Sequence, residues 1–293
     1  MAGKLNTDYP GGKKPTGNEE FKKQLIDDFQ AEGGATDKPD FPTETIELPS
    51  KGVLYEEGNP LRSGKVELKY MTAKEEDILT SQNLIQQGTV IDKLLKALVV
   101  GNVPYHKLLL GDKNAIMIAA RVLGYGADYE AEINDPWTNE KEKLKINLQD
   151  LKHISGLKKG KNYVDGKNEF DFELPVSKRK LKWKILNHGD EVKIALELKK
   201  NQRGKRRDDP KTELTTRMKY MIIGIDGDES DIAINKFVKN QFLAQDSRAF
   251  REHVQEISPD VDMSVWYYSE STGNEQKMKL PLGVNFFWPG AAV

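Results

Sequence analysis

The chain has no cysteine among its 293 residues. This excludes disulfides, thiolate nucleophiles and every zinc or iron–sulfur site built on cysteine, and it fits synthesis in the cytosol. Long apolar runs are also missing. The longest, residues 115–120, falls far short of the ~20 residues a membrane-spanning helix needs. Residues 1–12 hold no apolar core of the kind a signal peptide carries, so no secretory leader is expected. Histidine is scarce: His106, His153, His188 and His253 lie at least 35 residues apart, and none has a helix-face partner three or four positions away, so no metal site is expected. Charge of one sign is absent as well. With 45 Lys and Arg against 46 Asp and Glu the net charge is −1, which argues against generic polyanion binding.

Catalytic and nucleotide motifs are missing in the same way. Neither GxxxxGK[ST] nor GxGxxG occurs, and neither does the GxSxG of nucleophile elbows. The run Asp226-Gly227-Asp228-Glu229-Ser230-Asp231 resembles a calcium loop only superficially, because the position six after the glycine, where a bidentate Glu belongs, is Ala233. A helix-capping turn accounts for it better. The chain is therefore expected not to be an enzyme and to need no cofactor.

What is present is a polar but foldable sequence. Charged residues make up 31% against an ordinary ~25%, and the length suffices to bury roughly three-quarters of the unfolded surface. Residues 1–40, rich in Gly and Pro and poor in large apolar residues, read as a disordered tail. One stretch departs from that: after Asn18, a plausible N-cap, Phe21, Leu25 and Phe29 recur at steps of four and give a short helix one apolar edge. It is either a fraying segment or a helix that folds against a partner's groove.

From residue 41 strands and helices are segregated, and the fold class is α+β, with short antiparallel strands and hairpins beside two helical blocks. Residues 41–186 read as an N-terminal α+β domain with three helices. The first is opened by the capping box Thr72-Ala73-Lys74-Glu75; the third has Asp112 as its N-cap and ends at Gly124-Tyr125-Gly126. Residues 187–293 read as a helical block closed by a β-hairpin and an aromatic end. In that block, residues 212–223 are expected to form one helix. The aromatic end, with Phe286, Phe287 and Trp288, belongs either to the chain's own core or to a docking surface.

Two basic segments stand out. Residues 178–184 interleave lysine and arginine with Trp183. Residues 199–211 carry Lys199, Lys200, Arg203, Lys205, Arg206, Arg207 and Lys211 against two aspartates, a local charge of +5. Such patches bind phosphate backbones, but they serve equally as solvated faces. A nucleic-acid-binding accessory protein acting through these segments is the alternative function, although nucleic acid is not the expected partner.

An ordered series of segments over roughly residues 42–289 resembles the baseplate hub assembly proteins of T-even-type contractile-tailed phages. It runs through Leu48-Pro49-Ser50-Lys51-Gly52 with Tyr55, then Met71-Thr72 with Glu75-Glu76-Asp77-Ile78-Leu79, and Gly88 with Ile91-Asp92-Lys93-Leu94-Leu95. Leu110 with Asp112 and Arg121 with Tyr125-Gly126 follow. The series ends in Asp246-Ser247-Arg248-Ala249-Phe250-Arg251, Pro259 with Val261-Asp262, and Leu280-Pro281-Leu282 with Phe286-Phe287-Trp288-Pro289. Many members of the family it resembles carry Cys-Pro-x-Cys-type knuckles where this chain has Asp135-Pro136-Trp137-Thr138 and Tyr268-Ser269-Glu270-Ser271-Thr272-Gly273. Ordinary turn packing must hold both hairpins here. The resemblance implies a non-enzymatic hub subunit or hub assembly factor, with other baseplate proteins as partners, acting in the host cytoplasm during assembly and in the virion baseplate.

Overall fold

The computed structural model describes residues 42–155, 157, 164–202, 212–280 and 284–287. The expected tail, residues 1–40, lies outside them. Strand β1 (Thr43–Glu47) pairs antiparallel with β2 (Lys65–Lys69), with Thr43 opposite Lys69. Alternation turns Val66 and Leu68 of β2 into the core. The turn between the strands depends on Gly52 at φ 77°, because a Cβ there would lie 2.3 Å from the Arg62 carbonyl oxygen.

Helix α1 (Ala73–Thr80) starts at the expected cap: Glu75 accepts the Thr72 amide at 3.0 Å and the Thr72 hydroxyl at 2.6 Å. A short α2 (Gln82–Gln87), which sequence periodicity misses, leads to α3 (Val90–Leu98), whose Val90, Leu94, Leu95 and Leu98 are buried. Helix α4 (Leu110–Tyr125) begins two residues before Asp112, with Leu109 as its N-cap. Asp112 is thus the third residue of the helix and faces inward. The start of α4 presses on Pro259 and Asp260, for a Cβ on Gly111 would meet the Pro259 carbonyl oxygen at 1.9 Å.

Strands β3 (Asp128–Asn134) and β4 (Lys141–Asn147) form a hairpin whose inner residues Tyr129, Ala131 and Ile133 alternate with charged outer ones. Strand β5 (His153–Ile154) pairs with β9 (Asp260–Val261). Strands β6 (Phe170–Glu173), β7 (Lys180–Trp183) and β8 (Ile222–Ile225) make a three-stranded antiparallel sheet in that order.

Around that sheet lie α5 (His188–Gln202), α6 (Glu213–Met221), α7 (Asp231–Asn240) and α8 (Ala244–Ile257). The expected helix over 212–223 therefore ends at Met221, since Ile222 and Ile223 join β7 instead. Two β-branched residues before a glycine suit a pleated strand better than a helix end. The hairpin β10 (Ser264–Tyr268) and β11 (Glu275–Lys279) follows, then a 3-10 turn, Val284–Phe287.

One buried cluster runs from Leu48 to Phe287. Both the β5–β9 pair and the β6–β7–β8 sheet span residue 186, where the sequence reading sets its domain boundary. In the cluster's centre Trp183 stacks on Phe170 (4.8 Å) and meets Phe250 edge-on (5.6 Å).

Candidate docking surface

Several of the residues that carry the family resemblance, Ser50, Tyr55, Asp112, Arg121 and Asp246 among them, form internal joints. Asp112 accepts the Ser50 amide (2.9 Å), the Ser50 hydroxyl (2.7 Å) and the Tyr55 hydroxyl (2.6 Å), and Tyr55 Oη in turn accepts the Leu109 amide. Burial raises the Asp112 carboxyl above its ordinary value, opposed by those hydrogen bonds, and burial beside Asp112 pushes the Tyr55 phenol well up. Arg121, 2% exposed, donates to the carbonyls of Phe286 (2.7 Å), Gly126 (2.7 Å) and Asp128 (3.2 Å). Asp246 accepts the amides of Val176 and Ser177 at 2.8 and 3.0 Å. Each joint ties segments far apart in sequence, and each satisfies polar groups that would be costly to leave buried and unpaired.

The two turns without knuckle cysteines are closed by oxygen acceptors. Asp135 takes the amides of Trp137 (2.7 Å) and Thr138 (3.0 Å), and Ser269 Oγ takes that of Thr272 (3.3 Å). The turns also meet each other. The Tyr267 hydroxyl sits between the carboxylates of Asp135 (2.8 Å) and Glu142 (2.6 Å), and Trp137 stacks on the Tyr267 ring at 6.3 Å. Burial works against the Asp135 charge, yet hydrogen bonds from Ser269, the Thr138 and Trp137 amides and Tyr267 hold its carboxyl well below the usual range. Among the described residues no group of three or more His, Asp or Glu side chains is arranged to hold a metal ion.

The sequence-derived candidates fall in different places. Phe286 and Phe287 are fully buried in the chain's own core, packed edge-on to one another and with Phe286 against Tyr129. They leave a partner no surface in this conformation. Phe21, Leu25, Phe29, Trp288, Arg203, Lys205, Arg206 and Arg207 lie outside the described residues. Lys199 and Lys200 are exposed in the last turn of α5, where cations complement the helix dipole. In the 178–184 segment, Arg179 pairs with Asp226, Lys182 with Glu169 and Glu229, and Lys184 with Asp190.

The outward aromatics lie elsewhere. Trp266 is 66% and Tyr268 58% exposed on one face of β10, opposite Lys277 and Glu275 of β11, with Lys279 diagonal to Trp266. Trp137 is 40% exposed at the neighbouring turn. The pleat explains the arrangement: Tyr267 turns in to Asp135 and Glu142, so the residues before and after it turn out. Sequence alternation groups Trp266 with Tyr268 but does not say which face is buried. Trp and Tyr are the side chains enriched at protein interfaces.

No helix among the described residues is long and apolar enough to cross a membrane. No curated protein and no solved structure matches the chain. The family model described as T4 bacteriophage base plate protein, in contrast, matches residues 42–288, a span that begins at β1 and takes in every joint and both hairpins. By that match the chain belongs to the T4 bacteriophage base plate protein family.

Proposed function

We propose that this baseplate protein is a non-enzymatic docking component of the tail hub, either a hub subunit or a hub assembly factor, that binds neighbouring baseplate subunits through the outer face of the β10–β11 hairpin. The observation that carries the reading is the exposure of Trp266 and Tyr268 on a body whose buried polar side chains form internal joints. Asp112, Arg121, Asp135 and Asp246 hold segments of the fold together. Large exposed aromatics on a rigid hairpin supply contact area at a low entropic cost. Assembly takes place in the host cytoplasm, and a subunit retained at the hub would be carried in the virion.

Mass spectrometry of purified virions beside infected-cell lysate separates the two roles. Presence in both identifies a hub subunit, and presence in lysate complexes alone identifies an assembly factor. A chain found free of all baseplate proteins in lysate and absent from virions contradicts the proposal.

A further inference from the structure

The start of α5 is fastened to the corner between α3 and α4 around a single imidazole. His188 is the first residue of α5 and is 2% exposed. Its backbone is pinned first: the His188 amide donates to the Leu108 carbonyl at 2.8 Å, and the Leu110 amide donates to that of Leu186 at 3.3 Å. Its ring then faces Asp92 and Lys96 on α3, Lys113 on α4, and Tyr105 and His106 on the 3-10 turn Tyr105–Lys107. The Tyr105 ring meets it edge-on at 4.7 Å.

The hydrogen-bond roles in this cluster follow from charge. Lys113 Nζ stands 2.5 Å from Asp92 Oδ1 and 3.3 Å from His188 Nδ1. An ammonium group donates and cannot accept. His188 Nδ1 must therefore offer its lone pair, which leaves the ring proton on Nε2, facing Asp92 Oδ2 at 3.7 Å. Asp92 Oδ1 also accepts the Tyr105 hydroxyl at 3.2 Å, so the carboxylate charge is already shared between an ammonium and a phenol. A second proton on the imidazole would set one N–H against another across the 3.3 Å contact with Lys113. It would also leave a cation out of water at the N-terminal end of a helix, where the macrodipole opposes it. Burial, together with Lys113, Lys96 and His106, outweighs the pull of Asp92 and holds the imidazole down from 6.5 to about 4.

We infer that this cluster is an acid-sensitive latch: α5 stays docked on α3 and α4 while His188 is neutral with its proton on Nε2, and a proton on Nδ1 favours the form in which the start of α5 has opened. The open form takes that proton near the ordinary histidine value of about 6.5. The latch's contribution is thus full above that value and is lost as pH falls from there toward the folded one. It lies apart from the β10–β11 face, and docking at that face neither requires nor supplies it.

Nuclear magnetic resonance of the full chain labelled with 15N-histidine, titrated from pH 8 to pH 4.5, tests the latch. His106→Gln, His153→Gln and His253→Gln identify the other three signals. The expected result is an Nε2–H tautomer for His188 at pH 8 that stays neutral to below pH 5. In Lys113→Met the ring binds its proton about tenfold more tightly. Hydrogen exchange, corrected for intrinsic rates, reads the opening itself. Between pH 7.5 and pH 5 the opening constant over residues 188–195 rises at least about tenfold in the wild type, and by less in His188→Gln, which cannot take the proton. An Nδ1–H tautomer, a His188 signal that titrates at 6.5 or above, or an opening constant with the same pH dependence in both proteins overturns the inference.

Discussion

Trp266 and Tyr268 stand out from the β10–β11 hairpin, whereas Phe286 and Phe287, a short way further along the chain, show none of their surface. Both pairs are aromatic, and what separates them is the hydrogen bond made beside each, to a backbone carbonyl at Phe286 and from a side-chain hydroxyl at Tyr267. At Phe286 the carbonyl accepts from the buried Arg121 guanidinium, which draws the 3-10 turn under α4 and seals both rings. In β10 the anchored residue is Tyr267, held by Asp135 and Glu142. The pleat then forces its neighbours outward. Burial of an aromatic here is decided by a hydrogen bond one residue away or less.

The contrast can be broken most directly in the core. Phe286→Ala and Phe287→Ala each cost about 3–5 kcal/mol by the usual scale for buried aromatics, read by denaturant unfolding. A loss under about 1 kcal/mol would mean that the aromatic end is not part of the core. Asp112→Ala is next. It leaves the Ser50 amide, the Ser50 hydroxyl and the Tyr55 hydroxyl without their acceptor, at about 3 kcal/mol, and Tyr55→Phe costs less because one donor is removed together with its need.

Acid acts on these joints with opposite signs. Asp135 and Asp246 both resist burial through hydrogen bonds that hold their carboxyls below the ordinary 3.8. Their contribution to stability is therefore present above that value and is lost as pH falls below it. Asp112 has the opposite sign. Burial raises its carboxyl, so its contribution is fullest below 3.8 and falls away as pH rises through the raised value. Titrating stability from pH 6 to pH 2.5 is expected to show the hairpin joint weakening only below about pH 4, with Asp246→Asn reducing the acid loss. The smallest effect is at the surface: Trp266→Ala and Tyr268→Ala each change stability by no more than about 0.5 kcal/mol.

Much of this fold was legible in the sequence because its signals are local. Glu75 three residues after Thr72 marks the start of α1, the alternation of Tyr129, Ala131 and Ile133 marks the inner face of β3, and Gly126 at φ 83° closes α4. Asp112 reads as a cap by the same local logic and is not one, because its partners Ser50 and Tyr55 lie more than fifty residues away in sequence. Ile222 continues the helical spacing set by Met218, yet the pairing of β8 with β7 overrides it. The direction of the β10 aromatics was illegible for the same reason. It is fixed by Asp135 and Glu142 on another hairpin.

Whether the chain docks through its outward aromatic face is decided by one paired measurement. Thermal stability and co-assembly with the baseplate proteins of the same tail are recorded for Trp266→Ala/Tyr268→Ala. Docking through this face gives an unchanged melting temperature and lost co-assembly; full co-assembly by this stable variant rules it out.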